Sequence, residues 1–280
     1  MNQAVLTSDP VSAPAAASPL RGAPRLRLLG ECVDLLTPAQ VLAHMRDAVV
    51  AKRRAVIANH NLNSLNLIRG DAAMRAFYDA AELVQIDSTP LIAFGRLLGL
   101  PVSRAHRSTY LDWREDFWAL ADRLGWRVLY LGGTVKTGTE AMRRLSARRP
   151  GAVIEARSGY FDATPGSFDN TAVLATITAF RPDVLMVGMG MPRQEAWIAR
   201  NLDALPNCVI LNVGAAFDYE AGVQKAAPRW MGRVGLEWLY RLAHDPRRLF
   251  RRYCIEPWAL AGPVMRDVLG ALRRTRGRGA

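Results

Sequence analysis

The chain has 280 residues, half of them hydrophobic, which is enough for one large domain or one domain with an appendage. Three scattered cysteines exclude a disulfide framework, and the lack of a long apolar run excludes a transmembrane helix. The N-terminus shows no basic region followed by an apolar stretch, so no signal peptide is predicted. The formal net charge of +12 indicates an acidic partner, such as nucleic acid, an anionic lipid surface or a phosphorylated substrate.

Composition divides the chain into three predicted regions. Residues 1–24 are rich in Ala, Ser and Pro without periodicity, which is typical of a disordered leader. Residues 25–228 alternate short apolar runs with helical patterns and form the predicted main domain. Residues 229–280 form a basic appendage, with 12 arginines and no lysine against four acidic residues, so it carries eight of the twelve net positive charges.

The main domain alternates predicted strands and helices. The predicted strands are 26–29, 32–35, 55–58, 83–87, 127–131, 152–156, 184–187 and 208–213, and predicted helices start near residues 38, 71, 90, 111, 138, 170 and 192. This spacing predicts an α/β, Rossmann-like fold, a mostly parallel sheet with helices on both faces. In such sheets ligands bind beyond the carboxyl ends of the strands.

Polar residues and glycines collect where these predicted strands end, which indicates a site more strongly than any single motif does. They are Asn59, Asn61, Asp87, Gly132, Gly133, Gly188, Gly190 and Asp218. Asp87 ends an apolar strand and is a candidate general base, ribose ligand or N-cap of the next helix. Asn59 and Asn61 either bind a polar substrate or satisfy the backbone of their own loop.

The stretch 181–196 predicts a strand, a glycine turn and the start of a helix. Gly188 and Gly190 permit a tight turn and close approach of a ligand, and Pro192 fits the first helical position. Gln194 and Glu195 then lie in the first turn of a helix whose N-terminus favours an anion. An ordinary βα turn explains the same pattern equally well.

Several common motifs are missing from the sequence. It has no Walker loop, no Gly-x-Gly-x-x-Gly and no Gly-x-Ser-x-Gly, so ATP hydrolysis, NAD chemistry and serine hydrolysis lose support. It has no Asp-x-Asp pair to hold Mg²⁺ for a nucleotide-sugar. Its four histidines lack ligand spacing, and no metal site is predicted.

Aromatic residues and arginines interleave in the appendage between residues 235 and 253. This pattern fits a solvated basic helix, a nucleic-acid patch, or a segment that lies on a membrane and contacts anionic headgroups or a lipid diphosphate. Arginine can bind phosphate in a bidentate fashion, so the absence of lysine after Lys225 favours phosphate recognition.

The ordered set of motifs over residues 27–258 resembles the WecG/TagA/CpsF glycosyltransferases. The motifs are Gly132-Gly133, Gly159-Tyr160-Phe161, Pro182 to Glu195, Val213 to Asp218, Ala221-Gly222, Ala227-Pro228 and residues 235–241. The resemblance implies an inverting, metal-independent transfer of a sugar from a UDP-sugar to a polyprenyl-diphosphate-linked sugar. It places the protein at the cytoplasmic face of the membrane, with no cofactor and no nucleic-acid partner, and leaves a homo-oligomer open.

The resemblance also implies roles for single residues. Asp87 matches the family's proposed base, and Asp218 matches a uridine contact. The other matches are Asn61, Arg107 (with Arg104 as the alternative register), Gln194, Arg241, Arg248 and Arg251, with Arg252 as an additional candidate. Asn59 and Ser88 replace the Thr and Gly that the family often has, which suggests a divergent branch, such as the one that transfers glucose in xanthan-type exopolysaccharide assembly.

Three alternatives accompany this prediction. The donor is UDP-N-acetylmannosamine with lipid-linked N-acetylglucosamine as acceptor, or the acceptor is soluble, or the protein is a non-enzymatic basic protein that binds membrane or nucleic acid. A pure binding protein has no need of the polar residues at the strand ends.

Overall fold

The computed structural model describes residues 23–224, 227, 228, 231 and 236–277, so residues 1–22 of the predicted leader lie outside the described residues. Six parallel strands form the central sheet. They are β3 (Ala55–His60), β4 (Leu83–Ile86), β5 (Arg127–Gly132), β6 (Val153–Arg157), β7 (Val184–Gly188) and β8 (Val209–Asn212). Two further strands, β1 (Arg25–Leu28) and β2 (Glu31–Asp34), pair as an antiparallel hairpin. The predicted parallel α/β fold is thus confirmed.

The order of the strands across the sheet is β4-β3-β8-β7-β5-β6. The chain runs from β3 to one edge strand and later from β5 to the opposite edge strand, and β8 fills the place between β3 and β7. All six carboxyl ends therefore meet along one side of the sheet. We call the ends of β3, β4 and β8 the amide half, because they carry Asn59 and Asn212. We call the ends of β5 and β7 the glycine half, because Gly132 pairs with Gly188 there.

Helices cover both faces of the sheet, as the alternation of apolar runs predicts. They are α1 (Pro38–Val50), α2 (Leu62–Leu67), α3 (Ala72–Asp79), α4 (Thr89–Leu97), α5 (Tyr110–Leu124), α6 (Val135–Arg148), α7 (Phe168–Phe180), α8 (Arg193–Asn201), α9 (Ala216–Glu220), α10 (Glu237–His244), α11 (Pro246–Phe250) and α12 (Ala261–Gly277). Successive strand residues point to opposite faces. In β3, Val56 belongs to the core layer that contains residues of α2, α3, α4, α7 and α8, whereas Ile57 belongs to the layer that contains residues of α1, α5, α6 and α9.

Local sequence explains where several helices begin. Thr37 caps α1 through a capping box with Gln40, as its position before Pro38 predicts. Helix α2 is not predicted, because its six residues are too short to show a helical period. Pro192 is the N-cap of α8 and not its first helical residue, so that prediction is off by one position.

The C-terminal segment, residues 236–277, packs back against the main domain. After α10 and α11 come a π-helical turn (Arg251–Ile255), a 3-10 turn (Glu256–Leu260) and α12. Val264 and Val268 of α12 pack against the core, and the buried Asp267 accepts a hydrogen bond from the Leu29 backbone N–H at 2.7 Å. The far end of the predicted appendage is therefore tied to the β1–β2 hairpin. No helix in the described ranges is long and apolar enough to cross a membrane.

Candidate functional site

A cavity of about 670 Å³ lies between the amide half and the C-terminal segment. This is a typical size for a small-molecule site. Strand ends and the start of α8 supply Asn59, Asn61, Asp87, Asn212, Gly190 and Gln194. The C-terminal segment supplies Tyr240, His244, Asp245, Leu249 and Tyr253. The structure therefore brings five predicted site residues into one wall: Asn59, Asn61, Asp87, Gly190 and Gln194.

Asp87 follows the last residue of β4, where the strand opens onto the cavity. Its backbone N–H donates to the His60 carbonyl at 2.9 Å, which ties it to the end of β3. The N-cap position of α4 falls on Ser88, whose side chain makes no capping hydrogen bond. Asp87 is thus a cavity-wall carboxylate rather than the N-cap residue of α4, which leaves the base and ligand hypotheses in place.

Asn61 serves the loop that follows β3 and lines the cavity as well. Its side-chain oxygen accepts from the backbone N–H groups of Asn63 and Ser64 at 3.0 and 3.1 Å, so it is the N-cap of α2. Beneath it, His60 is fully buried, stacks on Tyr78 and approaches the Ser64 hydroxyl at 3.0 Å. Burial lowers the pKa of His60 to about 3, so this imidazole is neutral near pH 7.

A chain of side-chain amides crosses the amide half and ends at Glu195. Asn59 Nδ2 donates to the carbonyl and to the side-chain oxygen of Asn212, at 2.8 and 3.1 Å. Asn212 Nδ2 and Gln194 Nε2 both donate to Oε1 of Glu195, at 2.9 and 2.7 Å. Gln194 Oε1 in turn accepts from the Gly190 N–H at 3.1 Å. The two polar ends of Gln194 thus bind the turn that follows β7 and the neighbouring Glu195 of α8.

Two oxygens of this network have no hydrogen-bond partner among the described residues: Asn59 Oδ1 and Glu195 Oε2, both buried. Glu195 has no exposed surface. Burial raises the pKa of the Glu195 carboxyl, while the hydrogen bonds from Asn212 and Gln194 act in the opposite direction.

Arg107 lies beside β4 and not in the cavity wall. It forms an isolated parallel bridge with Ile86, it is buried, and its guanidinium is 3.5 Å from Asp112. The next residue, Ser108, does line the cavity, and its hydroxyl donates to Gln85. Arg104 is exposed in a 3-10 turn. Arg107 thus lies next to the strand of Asp87, and its role as the family arginine stays a prediction.

The glycine half is built by close packing. A Cβ on Gly132 would meet the Gly188 backbone, and a Cβ on Gly188 would meet the Gly214 carbonyl and the Tyr130 hydroxyl. Gly133 has a φ of +55° and lies near Asp218. Asp218 is half-buried on α9, and burial raises the pKa of its carboxyl. None of Gly132, Gly133, Gly188 and Asp218 is in the cavity wall, so their binding of a nucleotide stays a prediction.

The predicted appendage arginines are described only in part. The side chains of Arg241, Arg248 and Arg252 lie outside the described residues. Arg251 is 80% exposed, with its guanidinium 3.6 Å from Glu256. Among the described residues, no three His, Cys, Asp or Glu side chains come together as a metal ion requires. Metal independence itself stays a prediction.

Sequence reasoning missed several cavity residues. They are Gln85, Ser108, Thr109, Tyr110, Trp113, Asn212, Tyr219, Gln224, Tyr240, His244, Asp245 and Tyr253. Asn212 offered a signal, since an asparagine at the end of an apolar run is unusual for a strand. The residues of α5 gave none, because Trp113 reads as an ordinary core position on an amphipathic helix.

Comparison with known proteins relates this geometry to a family. The family model described as "Glycosyl transferase WecG/TagA/CpsF family" matches residues 26–274. Similar curated proteins include the N-acetylglucosaminyldiphosphoundecaprenol N-acetyl-beta-D-mannosaminyltransferases of Staphylococcus aureus strains MRSA252, MW2 and NCTC 8325. Each is 26% identical over 229 residues, which cover 81% of this chain and 87% of the relative. The chain belongs to the WecG/TagA/CpsF family of glycosyltransferases.

Proposed function

We propose that the protein transfers N-acetylmannosamine from UDP-N-acetylmannosamine to a polyprenyl-diphosphate-linked N-acetylglucosamine, with inversion at the anomeric carbon. The observation that carries the proposal is Asp87, which stands in a cavity wall beside Asn59, Asn61 and Asn212 in a chain of this family. A carboxylate among amides suits a sugar, whose hydroxyl groups need both acceptors and donors.

The proposed reaction uses Asp87 as the general base. Its carboxylate takes the proton from the acceptor hydroxyl while that oxygen forms a bond to the anomeric carbon. The bond from that carbon to the UDP oxygen breaks, and UDP leaves with the electron pair from the face opposite the attack. Base assistance of this kind accelerates a reaction by roughly 10²–10⁴-fold. Backbone N–H groups and arginines are the groups proposed to meet the charge that develops on UDP.

The donor sugar departs from the first prediction, which was glucose. The printed names of the similar curated proteins specify an N-acetylmannosaminyl group, and this supports the alternative. The exopolysaccharide branch stays a prediction. The decisive experiment is UDP release with UDP-N-acetylmannosamine, UDP-N-acetylglucosamine and UDP-glucose as donors, each with short-chain polyprenyl-diphosphate-N-acetylglucosamine and -glucose as acceptors. Release that requires UDP-N-acetylmannosamine supports the proposal, and release with UDP-glucose alone restores the glucose hypothesis.

We further propose that the C-terminal segment attaches the protein to the membrane surface. Large apolar side chains stand exposed on its outer surface: Phe250, Ile255, Trp258, Met265, Leu269 and Leu272. Exposed arginines, among them Arg251 and Arg266, accompany them. Aromatic and aliphatic side chains with arginines beside them suit the interface of an anionic bilayer. We expect Trp258→Ala with Leu269→Ala to weaken sedimentation with phosphatidylglycerol vesicles. Unchanged sedimentation, or stronger retention on DNA than on vesicles, would oppose this proposal.

A further inference from the structure

Glu195 occupies the junction of two arms that reach the cavity. One arm runs through Gln194 to the Gly190 N–H, and the other runs through Asn212 to Asn59. All four of these residues line the cavity, whereas Glu195 is completely buried behind them. It therefore has no direct access to a ligand, and any effect of Glu195 on a ligand passes through its neighbours.

The donors and acceptors along the arms fix the orientation of each amide. A carboxylate oxygen only accepts, so both Gln194 and Asn212 must turn their NH₂ groups toward Glu195. Gln194 then directs its oxygen to the Gly190 N–H, and Asn212 directs its oxygen to Asn59. Asn59 meets two acceptors, the side-chain oxygen and the carbonyl of Asn212, so its NH₂ group is committed to them. Its own oxygen, Oδ1, is the end of the arm.

We propose that Glu195 is a positioning residue, which holds the side chains of Gln194 and Asn212, and through Asn212 that of Asn59, in place in the cavity wall that faces the donor sugar. Asn59 Oδ1 is buried without a partner among the described residues. The Glu195 carboxylate joins the two arms, and its loss leaves the NH₂ groups of Gln194 and Asn212 without their acceptor. The inference rests on the proposed function for the identity of the ligand as a sugar.

The kinetic test removes the hydrogen-bond acceptor at position 195 and keeps a side chain of similar size. In Glu195→Met the amides lose their common acceptor, and we expect the KM for the donor UDP-sugar to rise about tenfold, as for the loss of one or two hydrogen bonds, with kcat within about threefold. Glu195→Gln retains an oxygen for both NH₂ groups and should stay within about twofold of the wild type. If the role of Glu195 is only structural, the variant should contain a smaller fraction of active enzyme, and the KM of that fraction should be unchanged.

Asn201→Leu is the matched control. Asn201 is on the same helix, is also buried, and bonds Asn170 and the Trp197 carbonyl, and none of these three residues lines the cavity. The Asn201→Leu substitution should lower the melting temperature and leave the KM for the donor UDP-sugar unchanged. If Glu195→Met yields no folded protein, Asn212→Asp serves instead. It places a carboxylate oxygen of residue 212 against the Glu195 carboxylate, and both of these groups only accept hydrogen bonds. Asn212→Asp should then raise the KM for the donor UDP-sugar about tenfold.

A second measurement separates this inference from the proposed function. The side-chain NH₂ signals of Asn59 and Asn212, assigned by substitution, are followed by ¹⁵N NMR. We expect Glu195→Met to shift both signals, while Glu195→Gln and Asn201→Leu leave them in place. If the wild type turns over no UDP-sugar but the signals shift, the proposed function fails and the positioning role stands. Signals that stay in place in Glu195→Met, or an unchanged KM in that variant, would overturn the role of Glu195.

Discussion

The two halves of the strand edge use similar positions for different purposes. In the amide half, Asn59, Asp87 and Asn212 place polar side chains in the cavity wall. In the glycine half, Gly132 and Gly188 let neighbouring backbones approach so closely that a methyl group has no room. Both halves give the same signal in the sequence, a polar or small residue after an apolar run. The comparison teaches that this signal marks a cavity wall in one half and close packing in the other.

The largest effect is expected in the amide half, from Asp87→Asn. The carboxamide is nearly the same size but cannot take a proton, so kcat should fall by about 10²–10⁴-fold. UDP binding, measured by calorimetry, should stay nearly unchanged, because the substitution removes the base and leaves the backbone N–H groups proposed to meet UDP in place. A variant that keeps close to the full rate would show that Asp87 is not the base.

In the glycine half, the expected effect is on stability. Gly188→Ala would push a methyl group against the Gly214 carbonyl and the Tyr130 side chain, and backbone cannot move aside as a flexible side chain does. We expect a loss of about 3 kcal/mol in the free energy of unfolding, or a fall of about 10 °C in Tm for a domain of this size.

Gly262→Ala is the control for that substitution, since a Cβ at Gly262 meets nothing within 4 Å. Its Tm should stay the same or rise slightly, because alanine favours the helix. If Gly188→Ala melts like the control, the glycine half is not held by close packing, and a ligand-binding role for Gly188 gains support.

A fall in pH should change the contributions of the two halves to folding stability in opposite directions. His60 lies under the amide half, and burial lowers its pKa to about 3 from about 6.5 in an unfolded chain. The stability it contributes is present above pH 6.5 and is lost as the pH falls toward 3, since only the unfolded chain binds the proton there. At pH 5 the loss amounts to about 2 kcal/mol. In the glycine half, burial raises the pKa of Asp218, so protonation as the pH falls favours the folded state.

Urea unfolding at pH 7 and pH 5 measures the contribution of His60. In His60→Gln the stability at pH 7 is lower, because the stack on Tyr78 is lost, but the further loss between pH 7 and pH 5 should shrink by about 2 kcal/mol. An equal loss in wild type and variant would mean that His60 is not neutral in the folded protein.

The sheet was predictable because its signals are local. Apolar runs such as Val184 to Val187 are buried on both sides, and Thr37 with Pro38 marks the start of α1. The order of the strands and the division of their ends into two halves were not predictable, because they depend on contacts between residues far apart in the chain. Asn212 and Asn59, 153 positions apart, meet only through the pairing of β3 with β8.

The smallest predicted effect also tests the division most directly, since it compares two helix caps. Asn61 and Asp71 each accept two backbone N–H bonds at the start of a helix, but only Asn61 lines the cavity. Replacing either by alanine should cost about 1 kcal/mol of stability, seen as a similar fall in Tm. Asn61→Ala should in addition lower kcat/KM by about tenfold, as for the loss of one good hydrogen bond to substrate, while Asp71→Ala leaves it unchanged. Equal kinetics in the two variants would assign Asn61 to the cap alone and would move the sugar contacts toward Asn59 and Asn212.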